Sequence, residues 1–129
     1  MFSVMTLYTV LALVPPTCNT RPLLDAMYAV ESSSGKRLVG DGGKAIGPYQ
    51  IWKSYWADAV EHDPSIGGVY ADCMGKEYSE RIIRAYWSRY APRGATPEQL
   101  ARIHNGGPRG HLKSATRGYW RKISAEMGR

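Results

Sequence analysis

The sequence predicts a mostly helical α+β domain, and three observations carry that prediction. Apolar residues recur at helical spacing in several separate stretches. A glycine-rich segment without that spacing, from Ser34 to Gly47, interrupts the first two of them. The 129 residues suffice for one hydrophobic core and leave no room for a second.

The first helix is expected over Leu23 to Ser33, where Leu23, Leu24, Met27 and Val30 form an apolar stripe. Pro22 suits its first turn, because the N–H that proline lacks has no helical partner there anyway. Gly42-Gly43 and Gly47-Pro48 make the following segment a loop or a small hairpin. Helical spacing returns from Tyr49 to Glu61 through Ile51, Tyr55 and Trp56, until Asp63-Pro64 and Gly67-Gly68 break it. A longer helix starts at about Tyr70 or Glu77 and runs to Ala91. Its buried stripe is Tyr78, Ile82, Tyr86 and Tyr90, widened by Ile83 and Trp87. Thr96-Pro97-Glu98-Gln99 has the form of a capping box and opens a helix through His104. Asn105-Gly106-Gly107-Pro108 is a turn, and a last helix covers Ser114 to Met127.

Residues 1 to 20 carry no charge, and the apolar run from Met1 to Val14 is closed by Pro15-Pro16. That run is shorter than the roughly 20 residues a spanning helix needs, but it suits the apolar region of a secretory signal. The expected organisation is therefore a leader over 1–20 and one domain over 21–129, secreted or periplasmic, with no stable membrane insertion after processing. The two cysteines, Cys18 and Cys73, have no zinc-like spacing, so no metal or other cofactor is expected. A single disulfide is open to them only if Cys18 survives processing.

The formal charge of +6 favours an anionic partner: nucleic acid, anionic lipid or an acidic wall polymer. No nucleic-acid recognition motif is present, and Arg117, Arg121 and Lys122 read as a solvated basic face. Two carboxylates draw attention. Glu31 ends the first helix, and Asp41, between Gly40 and Gly42, follows it by ten positions inside the loop. Glycoside hydrolysis needs one carboxyl group held neutral to deliver a proton and one ionised to stabilise or attack the sugar cation. A helix-borne glutamate beside apolar neighbours and a solvated loop aspartate suit those parts. By spacing alone, though, Glu31 reads as a surface carboxylate and Asp41 as a turn former. His104 reads as a cation meeting the negative end of its helix. His62 and His111 read as surface residues, and the four tryptophans (Trp52, Trp56, Trp87, Trp120) as core.

Four ordered motifs change that balance. Val30-Glu31-Ser32, Gly47-Pro48-Tyr49-Gln50-Ile51 with Tyr55-Trp56-Ala57-Asp58, Ala101 through His104-Asn105-Gly106-Gly107-Pro108, and Gly118-Tyr119-Trp120 together resemble the invertebrate-type lysozymes over residues 23–123. The resemblance implies a lysozyme-like fold with the glycine-rich loop or hairpin beside its cleft. It also implies cleavage of the β-1,4 bond between N-acetylmuramic acid and N-acetylglucosamine in peptidoglycan, by a monomer. It carries the acid onto Glu31, the second carboxylate onto Asp41, and substrate contact onto Tyr49, Gln50, His104, Asn105 and Gly106. Ala59 and His111 stand where that family usually has cysteine, so stability must come from the core. Asn105-Gly106-Gly107-Pro108 is also similar to a turn of the lytic transglycosylases, which use one glutamate and close an anhydro ring. A non-catalytic wall-binding module is the third alternative.

Overall fold

The computed structural model describes residues 19–129. Residues 1–18, which hold most of the expected leader and Cys18, lie outside the described residues. Helix α1 spans Arg21–Ser32, α2 Lys53–His62, α3 Lys76–Tyr90, α4 Pro97–Gly106 and α5 Arg117–Met127. Between α1 and α2, β1 (Val39–Gly40), β2 (Ala45–Ile46) and β3 (Ile51–Trp52) form an antiparallel sheet in the order β1-β2-β3. Short 3₁₀ turns fill the connections at Asp41–Gly43, Pro64–Ile66, Tyr70–Met74, Gly110–Leu112 and Ser114–Thr116. Among the described residues no helix is long and apolar enough to cross a membrane.

The core gathers one face from each helix. Leu23, Leu24, Met27, Ile82, Ile83, Ile103 and Ile123 are all buried to 2% exposure or less. Burying such a side chain contributes about 1.5–3 kcal/mol. Ala59 is fully buried in the same core, its methyl packed where the family resemblance leads one to expect a thiol. Cys73 is buried too, and burial pushes its thiol up to about 12, so it behaves as a small apolar group.

The capping box at Thr96 forms as expected: Gln99 N–H donates to Thr96 Oγ1 (3.2 Å), and Thr96 N–H donates to Gln99 Oε1 (2.9 Å). The glycine-rich segment is the hairpin β1-β2. Two boundaries differ from the periodicity, and a third falls on one of its two alternatives. Tyr49 to Trp52 are not helical, because Gln50 has φ +52° and Ile51-Trp52 pair with β2 as a third strand. The stretch before Lys76 is a 3₁₀ turn in which Asp72 accepts from the Val69 N–H (2.8 Å), so of the two expected starts α3 takes the later, near Glu77. Residues Ser114–Thr116 are likewise 3₁₀, so the last helix opens at Arg117.

Two buried polar anchors hold the frame. Glu80 accepts both guanidinium nitrogens of Arg21 (3.0 and 2.6 Å) and the hydroxyl of Tyr49 (2.5 Å), joining α1, α3 and the turn before β3. Arg102 donates to Thr116 Oγ1, Glu98 and the Lys113 carbonyl (2.7–2.8 Å), tying the loop after α4 back to that helix. At Gly47 (φ +78°) an added Cβ would overlap the Cys73 carbonyl, so only glycine lets the turn into β3 press against that backbone.

Candidate active site

Glu31 lies in the last turn of α1, and the local sequence fixes where that helix stops. Ser33 and Ser34 take left-handed φ values (+51° and +59°), followed by Gly35 at +89°. Ser32, fully buried, donates its hydroxyl to the Tyr28 carbonyl (2.7 Å) and accepts from the Gly35 N–H (2.8 Å). This knot ends the helix one residue past Glu31 and turns the chain toward the hairpin. The Glu31 side chain keeps 16% exposure, at the wall of a groove of about 280 Å³.

The groove runs between the sheet and the helices. From the sheet side come Asp41, Gln50 and Trp52; from the helices come Glu31, Ser54, Tyr55, Asp58, Tyr86 and His104, with Asn105 and Gly107 at the end of α4. Desolvation raises the Glu31 carboxyl from 4.5 to about 7. The neighbouring Tyr119 hydroxyl opposes that rise, Asp41 adds to it, and Arg37 and Lys122 oppose it more weakly. Glu31 is therefore largely protonated below pH 7. Asp41 is exposed, and its Oδ2 accepts from the Trp52 indole N–H (3.1 Å). The two carboxyl groups thus sit in opposite environments along one groove.

Two residues on the sheet side of the groove take left-handed backbone. Asp41 has φ +51°, which aspartate tolerates, and Gln50 has φ +52°, which costs a glutamine about 1 kcal/mol or more. Gln50 donates through Nε2 to the Gly47 carbonyl (3.0 Å), and its Oε1 occupies the space that a side chain at position 40 would need. Gly40 thus leaves room for Gln50 to reach across the sheet.

His104 does not carry the charge that its position at the helix end suggests. It is almost fully buried, and desolvation lowers its imidazole from 6.5 to about 4. Its Nε2 lies 3.1 Å from the Tyr49 carbonyl, which can only accept, so Nε2 carries the proton. Nδ1 then accepts from the Tyr55 hydroxyl (2.9 Å), and Tyr86 stacks on Tyr55. Glu31 Oε1 is 3.8 Å from His104 Nε2, beyond a hydrogen bond, and the neutral ring makes no ion pair.

Of the residues singled out in the sequence, the fold brings Glu31, Asp41, Gln50, His104 and Asn105 to one groove. Tyr49 and Gly106 stand apart from it. The Tyr49 ring has no exposed surface and its hydroxyl is spent on Glu80, so its side chain is a core anchor and not a contact surface. Gly106 packs against Thr116, and its carbonyl accepts from Lys113 Nζ (2.7 Å). His111 is half-buried with an unpartnered Nδ1, not a surface residue, whereas His62 is exposed as expected.

Sequence reasoning missed Trp52, and it set Asp58 aside as a rival second carboxylate because it falls on a helix to which the resemblance assigns no catalytic part. Trp52 is 44% exposed in the groove, not core, because β3 turns it outward beside Asp41. Asp58, one turn along α2 from Ser54, accepts from the Tyr90 hydroxyl (3.2 Å) and also lines the groove. Trp52→Phe is expected to release Asp41 while keeping a flat ring, lowering kcat by about three- to tenfold with little change in KM. Steady-state kinetics on soluble wall fragments check this, and an unchanged kcat would mean the indole does not orient the carboxylate.

A largely buried glutamate at the end of a helix, set across an open groove from a small antiparallel sheet, is the lysozyme-like arrangement. The crystal structure of Tapes japonica lysozyme matches this fold with a TM-score of 0.70 at 28% identity, covering 86% of this chain and 92% of that one. Lysozyme from Ostrea edulis is 33% identical over 124 residues, 88% of each chain. Lysozyme 1 of Crassostrea virginica is 42% identical over 86 residues, 64% of this chain and 45% of that relative, so the match spans under half of that protein. A family model described as Destabilase matches residues 20–125. The chain belongs to the Destabilase family.

Proposed function

We propose that this chain is a secreted muramidase that hydrolyses the β-1,4 bond between N-acetylmuramic acid and N-acetylglucosamine in peptidoglycan. The observation that carries the reading is the division between a desolvated Glu31, raised to about 7, and an exposed Asp41 in the same groove. Glu31 delivers its proton to the glycosidic oxygen as that bond breaks. Asp41, exposed and steadied by Trp52, stabilises the positive charge that develops on the sugar ring. Gln50 and Asn105 border the two carboxyl groups and offer amide donors and acceptors to sugar hydroxyls and acetamido groups. The positive surplus of the chain draws it to an anionic wall. The lysozyme names of the relatives support the same chemistry. Export, through a leader over 1–20 that precedes the domain of 21–129, and action as a monomer belong to this reading.

Mass spectrometry of digested peptidoglycan tests it. Reducing N-acetylmuramic acid ends are expected. Ends in 1,6-anhydro form would assign the chain to single-glutamate transglycosylases, and intact glycan would leave only a wall-binding module. The presence of a second carboxylate in the groove favours water as the acceptor over ring closure.

A further inference from the structure

Among the described residues around Glu31, one buried proton donor is not committed to any other group. His104 has given its Nε2 proton to the Tyr49 carbonyl, and the Tyr55 hydroxyl has given its own to His104 Nδ1. Neither has a proton left for Glu31. On α5, Tyr119 packs against the same imidazole, with ring centroids 6.4 Å apart. Its hydroxyl is buried beside the Glu31 carboxyl, close enough to lower the proton affinity of that group, and makes no hydrogen bond of good geometry to any other side chain or backbone group. A buried hydroxyl without a partner costs about as much as the hydrogen bond it forgoes, so such groups ordinarily find one.

We propose that Tyr119 is a positioning residue for Glu31, its hydroxyl closing onto the carboxylate that Glu31 becomes once it has given its proton to the leaving sugar oxygen. The proposal rests on Glu31 as the acid. A tyrosine O–H rotates freely about its C–O bond, so it donates when the neighbour is ionised and accepts when the neighbour is a neutral acid. Hydrogen bonds to a charged acceptor are the stronger kind, so the contact tightens as negative charge arrives. The other groups facing Glu31 do not take this part. Asp41, from the hairpin, repels the new charge, while Arg37 of the loop and Lys122 of α5 act on it only through space. Burial keeps Tyr119 itself protonated, so it donates a hydrogen bond without losing its proton.

The test is Tyr119→Phe, which keeps the ring and removes only the oxygen. Carboxyl carbon NMR of labelled protein then reads the Glu31 titration directly. The midpoint is expected to move up by about one pH unit. The basic limb of kcat/KM should move with it, and kcat on the acid side should fall several-fold at nearly constant KM. Replacing Tyr119 by 3,5-difluorotyrosine, a stronger donor, should move the midpoint down, which a residue that only fills space would not do. An unmoved Glu31 midpoint in folded Tyr119→Phe overturns the proposal, as does a difluorotyrosine shift of the wrong sign should the phenylalanine variant fail to fold. The NMR arm needs no turnover. A shifted midpoint in a chain whose Glu31→Gln variant still lyses walls would retain the Tyr119 contact and remove Glu31 as the acid.

Discussion

Glu31→Gln is expected to lower wall lysis by about 10²–10⁴-fold and, above pH 7, to make the protein more stable. Both effects have one cause. Burial raises the carboxyl from 4.5 to about 7, so the folded state holds its proton more tightly than the unfolded chain does. Between those values folding must discharge an ionised glutamate, and stability falls as pH rises. A shift of that size corresponds to on the order of 3 kcal/mol lost once pH is well above 7. An uncharged amide of the same shape escapes that cost, so the melting temperature of Glu31→Gln should exceed that of the parent at pH 8 and match it near pH 4.5. His104 imposes the opposite slope. Its imidazole, lowered to about 4, makes stability fall as pH drops through the range from 6.5 to 4. The variant should therefore lose stability on acidification alone, with the alkaline decline gone. Turbidity clearing and thermal melts across pH 4 to 8 check the pair. Lysis within a few fold of the parent would remove Glu31 from the mechanism.

Asp41→Asn is expected to lower kcat by about 10²-fold or more, with KM little changed. The carboxylate acts on charge that appears only as the glycosidic bond breaks, so its loss falls on the transition state and not on binding. Asp41 is exposed and its backbone conformation suits asparagine as well as aspartate, so the fold should survive with an unchanged melting temperature. That separates it from Glu31, whose replacement moves stability and activity in opposite directions. Kinetics within threefold of the parent would mean that Asp41 is a turn residue. The single-glutamate route, with anhydro ends in the product, would then be the better account.

Local rules read well here because the signals were local. The capping box at Thr96, proline in the first turn of α1, and the stripe of Ile82, Ile83, Tyr86 and Trp87 each depend on residues a few positions apart. The sequence alone was thus enough for the helices, for a loop or small hairpin in the glycine-rich segment and, through four ordered motifs, for the family. It misplaced Tyr49 to Trp52, where helical periodicity competed with strand pairing to β2. Pairing prevailed because Gly47 and Gln50 turn the chain sharply before Ile51.

The parts that only tertiary structure decided are those set by distant neighbours. Tyr49 sits in a motif the resemblance ties to substrate, yet Glu80 and Arg21 draw its hydroxyl into the core. Trp52 counts as core by composition but faces the groove, since the side of a strand that becomes wet depends on what packs against the sheet. His104 at a helix end should welcome a proton, but the carbonyl of Tyr49, fifty-five residues away, and the hydroxyl of Tyr55 use both ring nitrogens of a buried, neutral imidazole. The proton affinity of Glu31 follows the same rule. A glutamate in the sequence specifies only that a carboxyl group is present, and its working pKa comes from the desolvation that α5, the hairpin and α4 impose on it once they close around the end of α1.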